Sequence, residues 1–170
     1  MPSKHDSPIL SLTREAWRHF LAMSLGHVRE GGGLLIGHRN RLGNYHVEHV
    51  IGMTHARASN GYIQYEPDEV ARAKRAAYLV YSPLEPIGEW HTHPFKQSCR
   101  EAFEPLMSDL DFEAMLEEDL ELIASIFPDP GYRCRPDSFI LQECLGDLVC
   151  RAEAWLRRRN RPVRCQMRIC

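Results

Sequence analysis

The sequence contains no apolar run approaching the ~20 residues needed to cross a membrane as a helix, no internal repeat and no low-complexity stretch. Helical membrane proteins and repeat arrays are thereby excluded. Residues 1–8 are polar and lack the apolar core of a secretory signal. None of the six cysteines (Cys99, Cys134, Cys144, Cys150, Cys165 and Cys170) sits in a CxxC pair, which argues against a zinc finger or a thioredoxin-type motif. Five of them fall from Cys134 onward, which is not the spread of a disulfide framework, so reduced thiols are expected. These absences lead to the expectation of a cytoplasmic protein with no membrane partner, folded as a single domain over residues 1–170.

What is present is a chain of 170 residues, 44% hydrophobic and 26% charged, enough to bury a core of ordinary size. The net charge of -2 conceals an asymmetry. Residues 151–170 hold seven Arg against one acid, Glu153, giving +6; the remainder has 14 basic against 22 acidic residues, giving -8. A basic segment can meet nucleic acid or an acidic partner. No aromatic residue follows Trp155 to stack on bases. The expectation is therefore a solvated basic C-terminal segment whose Arg residues favour a helix C-terminus, without a nucleic-acid partner.

Residues 8–12 read as a short strand. Thr13 resembles an N-cap, and Trp17, Phe20, Leu21 and Leu25 recur on one helix face up to a stop at Gly26. Residues 34–37 form a short buried strand, and Gly43-Asn44 turns the chain into a second strand over residues 45–53. Pro67 opens a helix with Val70, Ala73, Ala77 and Val80 inward. Residues 87–93 form a third strand. Residues 108–120 read as a helix with Leu110, Ala114 and Met115 inward, followed by strands at 122–127 and 138–145. Residues 148–159 fit either a strand end or a final helix. Strands alternate with helices, so the class is α/β or α+β around a single mixed sheet flanked by helices.

His91-Thr92-His93 carries the chemistry. Strand side chains alternate between faces, so two imidazoles at this spacing point the same way and can chelate one ion. With nine histidines in the chain an isolated pair would mean little. Its context adds weight. Ser108-Asp109-Leu110-Asp111 opens the next helix, where Asp111 can supply a third ligand; three protein ligands and an open position describe a catalytic zinc site. The same Ser and Asp also fit a capping box, which would hold the carboxylate rigidly. Glu30, just before a glycine-rich strand, is an acid that can take a proton from a metal-bound water.

The three segments Glu30-Gly31-Gly32-Gly33-Leu34-Leu35-Ile36-Gly37, His91-Thr92-His93-Pro94 and Ser108-Asp109-Leu110-Asp111 occur in that order. Together they resemble the JAMM (MPN-plus, or JAB) metallopeptidases, in particular a bacterial branch found beside ubiquitin-like, E1-like and E2-like genes in defence and mobile-element operons. The resemblance implies the JAMM/MPN, cytidine-deaminase-like architecture. It implies Zn2+ held by His91, His93 and Asp111, with Glu30 activating the water and Ser108 hydrogen-bonding the oxyanion. The implied reaction is hydrolysis after the C-terminal tail of a ubiquitin-like protein, in deconjugation or precursor processing, with the tail bound as an extended strand on a sheet edge and E1-like or E2-like proteins as further partners. Two alternatives stay open: a JAMM peptidase for a sulfur-carrier protein or small peptides, and a non-catalytic MPN scaffold.

One departure from the resemblance lies between the second His and the Ser. Fourteen residues separate His93 from Ser108, where the family has seven. The insertion, at about 95–107, contains Cys99 and Glu101; Asp109 and then Glu101 are the runners-up to Asp111 as ligand. Among other polar residues, the odd separation of His46 and His49 predicts opposite faces and argues against a second metal site. His38 has no partner at useful spacing. Glu89 shares the face of His91 and reads equally as a support for the site or as a salt bridge.

Overall fold

A computed structural model describes residues 7–26, 31–53, 57–59, 62–64, 66–93, 107–129 and 137–170. The chain begins with β1 (Ile9–Leu12) and α1 (Arg14–Gly26), followed by β2 (Gly32–Arg39) and β3 (Tyr45–Gly52). A short ribbon, β4 (Arg57–Ser59) and β5 (Tyr62–Gln64), precedes α2 (Pro67–Tyr81), β6 (Glu85–Thr92) and α3 (Asp109–Ala114). The rest is β7 (Leu120–Pro128), β8 (Ile140–Leu145), β9 (Leu148–Arg158), β10 (Arg161–Arg164) and β11 (Gln166–Ile169). All strands but β4 and β5 join one sheet in the order β10-β9-β7-β6-β2-β3-β1-β11, with β8 also paired to β9. The β6–β7, β1–β3 and β1–β11 pairs are parallel and the others antiparallel. The expected mixed sheet flanked by helices is what forms.

Register assigns the two faces. Trp90, Leu122, Ala124, Ala152 and Ala154 pack with Trp17 and Phe20 of α1 in the main core, and the Phe20 and Trp90 rings meet edge-on at 5.5 Å. Thr13 caps α1 by accepting the Ala16 N–H at 3.1 Å. Leu25, expected on the buried stripe, is 38% exposed at the helix end. On the opposite face α2 sets Ala77 against Leu34 and Ile36. Val80, expected inward, is exposed, because Tyr81 takes the next place on the stripe, four residues beyond Ala77. Strand β2 runs very close to its neighbours. A Cβ on Gly33 would lie 1.9 Å from the Ile51 carbonyl oxygen, the group that accepts the Trp90 indole N–H at 3.0 Å.

Three expectations are corrected. The helix after His93 stops at Ala114 rather than running to 120, and Leu110 and Ala114 are exposed. Arg157 accounts for the early stop: it donates to the carbonyls of Phe112 and Met115, which an α-helix end leaves without partners. The C-terminal segment is not a solvated tail or a helix but strands β9, β10 and β11. A two-residue turn at Arg159-Asn160, both at positive φ, joins the first two. Its arginines work internally: Arg151 and Arg164 both donate to the buried Glu153 carboxylate, Arg158 pairs with Glu118 and Arg168 bonds Ser11. Finally, a bulge at Glu48 inserts one residue into β3, so Ile36 faces His49 while His38 faces His46. Ile36 and His38 share a face, so His46 and His49 share it too, and the parity expected of a regular strand does not hold.

Among the described residues Cys144, Cys150, Cys165 and Cys170 are free thiols. Burial pushes Cys150 and Cys165 up to about 12, whereas Cys144 and Cys170 are exposed. Brief alkylation of the native chain followed by peptide mass mapping should label Cys144 and Cys170 and spare the buried pair, since only an accessible thiolate reacts. Rapid labelling of Cys150 or Cys165 would show that the main core opens.

Candidate metal centre

Strand β6 lies inside the sheet between β2 and β7, and its register sets His91 opposite Gly32 on one side and Ile123 on the other. Trp90 and Thr92 are buried. Trp90 points into the main core, so alternation turns His91 to the other face. The strand remains held beyond its last paired residue, because the His93 N–H donates to the Ala124 carbonyl at 2.8 Å. Thr92 fixes the start of β2: its N–H donates to the Gly31 carbonyl at 2.8 Å and its hydroxyl accepts the Gly31 N–H at 2.9 Å. The residue following Glu30 is therefore locked beside the two histidines. Glu30 itself lies outside the described residues, as do Pro94 and residues 95–106 of the insertion, Cys99 and Glu101 among them.

Asp111 arrives from α3, whose N-terminus is a complete capping box. The Ser108 hydroxyl accepts the Asp111 N–H at 3.1 Å and donates to Asp111 Oδ2 at 2.6 Å, and the Ser108 N–H donates to the same oxygen at 2.9 Å. The carboxylate is thus aimed by its own helix start. Its Oδ1 lies 3.5 Å from His91 Nε2 and its Oδ2 3.5 Å from His93 Nε2, while the two imidazole rings stand 5.2 Å apart. Burial alone would raise the Asp111 carboxyl. The hydrogen bond from His93, the charge of His91 and the two bonds from Ser108 outweigh burial and bring it to about 2. The group is ionised at any ordinary pH, as a metal ligand must be.

His91, His93 and Asp111 each offer one ligand atom, all within 4.8 Å of one another. Two imidazole nitrogens and one carboxylate oxygen, each only partly exposed, suit a zinc-like ion and leave a coordination position open. Of the sequence-derived candidates, the structure brings together His91, His93, Asp111 and Ser108. Asp109 starts the same helix and is exposed. Glu89 is resolved as a salt bridge, 2.8 Å from Lys74 of α2.

The residue that sequence reasoning missed is Glu121. Its Oε1 lies 2.7 Å from His91 Nδ1, so the carboxylate accepts a proton held there and leaves Nε2 as the metal-facing nitrogen. The sequence did carry a signal, a single charged residue in the run Leu120–Pro128. Such partners orient a ligating imidazole and raise its basicity. Glu121→Leu is expected to weaken metal binding by about 10- to 100-fold, with Glu121→Gln, which can still accept, weakening it less. Equal affinities for both variants and the parent, by calorimetric titration, would leave Glu121 no role at the ion.

The family of prokaryotic homologues of the JAB domain matches residues 11–99, just over half of the chain and the part that includes both histidines. No curated protein matches. Among solved structures, a protein from Desulfitobacterium hafniense superposes with a TM-score of 0.65 at 19% identity, covering 95% of this chain and 93% of its own. A protein from Salinibacter ruber superposes with a TM-score of 0.54 at 20% identity, covering 94% of this chain and 89% of its own. At these identities the likenesses speak for the fold, and the family match speaks for descent: the chain belongs to the prokaryotic JAB-domain homologues.

Proposed function

We propose that the chain is a zinc-dependent peptidase of the JAMM type, with His91, His93 and Asp111 holding the ion, Glu30 as general acid/base and Ser108 beside the reacting carbonyl. The observation that carries this reading is the convergence of His91 from β6, His93 just beyond it and a pre-aimed aspartate from α3 on one point. A bound zinc ion supplies Lewis acidity toward a carbonyl oxygen and a water acidified to near neutrality. The protein's part is orientation and proton handling. Glu121 holds His91 in one tautomer, Ser108 holds Asp111, and the Thr92–Gly31 hydrogen bonds fix the chain directly after Glu30. Glu30 takes the proton of the attacking water and delivers it to the leaving amine. A scaffold that only binds partners has no use for an ionised carboxylate facing two imidazoles, nor for a further carboxylate fixing the tautomer of one of them.

The substrate we propose is the C-terminal tail of a ubiquitin-like protein, cut from a conjugate or a precursor. The sheet carries β6 in its interior, away from the outer strands β10 and β11, whereas the β4–β5 ribbon stands outside that sheet. Strand addition at the outer edges of the large sheet therefore does not bring a tail to His91. Incubation of the zinc-loaded chain with ubiquitin-like proteins extended at their C-termini, read by intact mass, tests the reading. The expected product ends at the terminus of the ubiquitin-like tail, and its formation stops on chelation. Cleavage of short unrelated peptides, with ubiquitin-like fusions left intact, would transfer the activity to the small-peptide alternative.

A further inference from the structure

The capping box at Ser108 aims the Asp111 carboxylate relative to its own helix, but it does not place that helix on the sheet. Helix α3 has six residues, none of them buried. At about 9 Å of length it is too short to be stable by itself in water and depends on contacts with the rest of the fold. One such contact comes from β9. Leu156 faces Leu120 in the main core, and Trp155 pairs with Glu121, the carboxylate that holds His91. Alternation therefore turns Arg157 to the face of the metal centre. Its main chain extends the ladder there: the Glu118 N–H donates to the Arg157 carbonyl at 2.8 Å, and the Arg157 N–H donates to the Asp119 carbonyl at 3.1 Å. Its side chain reaches back into the helix. Nη1 donates to the carbonyls of Phe112, at 3.2 Å, and Met115, and Nη2 donates to Asn160 Oδ1 in the β9–β10 turn. The guanidinium carbon lies 4.8 Å from the centre of the Phe112 ring.

We propose that Arg157 is a positioning residue of the metal centre: it docks α3 on the sheet and so sets Asp111 against His91 and His93. The proposal rests on the metal-centre reading above and extends it to the basic C-terminal segment. Both carbonyls that Arg157 grips lead directly to the ligand. Phe112 follows Asp111 in the chain, and the Met115 N–H donates to the Asp111 carbonyl at 3.2 Å. Glu117 accepts the N–H groups of Arg159 and Asn160, and Glu118 pairs with Arg39 and Arg158. Those contacts clasp the residues that follow α3, whereas Arg157 holds the helix itself. A guanidinium suits the task, because its planar fork donates to carbonyls while its face stacks on a ring. Lysine, a point charge on a flexible stem, cannot do both. A carboxylate ligates zinc only at about 2.0–2.2 Å, so a helix displaced by an ångström withdraws Asp111 from the ion.

The test compares the full chain with Arg157→Ala and Arg157→Lys, and repeats Arg157→Ala in an Asp111→Ala background. Zinc affinity is read by calorimetric titration, and the visible absorption of bound Co2+ reports the ligand set. Arg157→Ala should weaken Zn2+ binding by about 10- to 100-fold, as expected for loss of a group that orients a ligand, and should move the Co2+ spectrum toward that of Asp111→Ala. Arg157→Lys should recover only part of the loss. In the Asp111→Ala background Arg157→Ala should change the affinity no further, because the arginine acts through that carboxylate. An equal loss in both backgrounds is the mark of general destabilisation and overturns the proposal, as does an unchanged affinity in the parent background. A second readout needs no metal. Hydrogen exchange at the Phe112 and Met115 amides should quicken in Arg157→Ala while the amides of β6 and β7 keep the parental rate, and unchanged exchange overturns the docking role. A parent chain that takes up no Zn2+ would overturn the metal reading instead, and the exchange rates would still decide whether Arg157 docks α3.

Discussion

A His93→Ala chain should bind one metal equivalent fewer than its parent and lose metal-dependent hydrolysis entirely, while remaining folded. The ring of His93 meets Asp111 at 3.5 Å and His91 across 5.2 Å. It lies one residue beyond β6 with its side chain 18% exposed, and it belongs to neither of the hydrophobic clusters that flank the sheet. Its removal therefore costs little packing. What it removes is one of three ligands, and two cannot hold a catalytic zinc at ordinary concentrations. His91→Ala should produce the same metal loss with a larger fall in stability, because Glu121, only 17% exposed in its side chain, would be left without the imidazole it holds at 2.7 Å. Metal analysis after gel filtration and a thermal melt separate the two effects. Full metal content in His93→Ala would remove that residue from the centre.

The second large effect is expected at Glu30. Glu30→Gln should retain metal and fold yet slow hydrolysis by about 100- to 10,000-fold, since glutamine keeps the shape of the side chain but cannot accept a proton. That range corresponds to roughly 3–5 kcal/mol of transition-state stabilisation, far beyond what one substituted side chain of equal size should do to stability. Comparing kcat with zinc content discriminates the roles: a variant with normal zinc and a normal rate leaves Glu30 with no part in proton transfer. The distinction from His93→Ala is qualitative, because one variant loses the ion and the other keeps it.

The histidine pair was legible in the sequence because strand periodicity is simple, and β6 remains regular through His91 and Thr92. Asp111 was legible because a capping box is local, with all of its hydrogen bonds spanning three residues. What escaped depends on register between strands distant in sequence. Glu121 meets His91 only through the parallel β6–β7 pairing, 30 residues apart. His38 meets His46 only because a bulge shifts β3 by one position, and no intrastrand pattern announces that. The C-terminal ambiguity had another cause. The run Ala152 to Leu156 is rich in Ala, Glu and Leu, strong helix formers, yet Ala152, Ala154 and Leu156 alternate inward at 0% exposure. Burial in the sheet between β7, β8 and β10 outweighs that local preference. Reading Arg151 as solvated failed for a related reason, since a buried arginine is tolerated where a buried carboxylate, here Glu153, pairs with it.

The ligand set itself can be read by zinc X-ray absorption on the chain loaded with one equivalent. Coordination by two imidazoles and light oxygen donors at about 2.0–2.2 Å, with the bound zinc lost in His93→Ala, is the result expected of His91, His93 and Asp111. A sulfur shell at about 2.3 Å, or a spectrum indifferent to loss of His93, would contradict it.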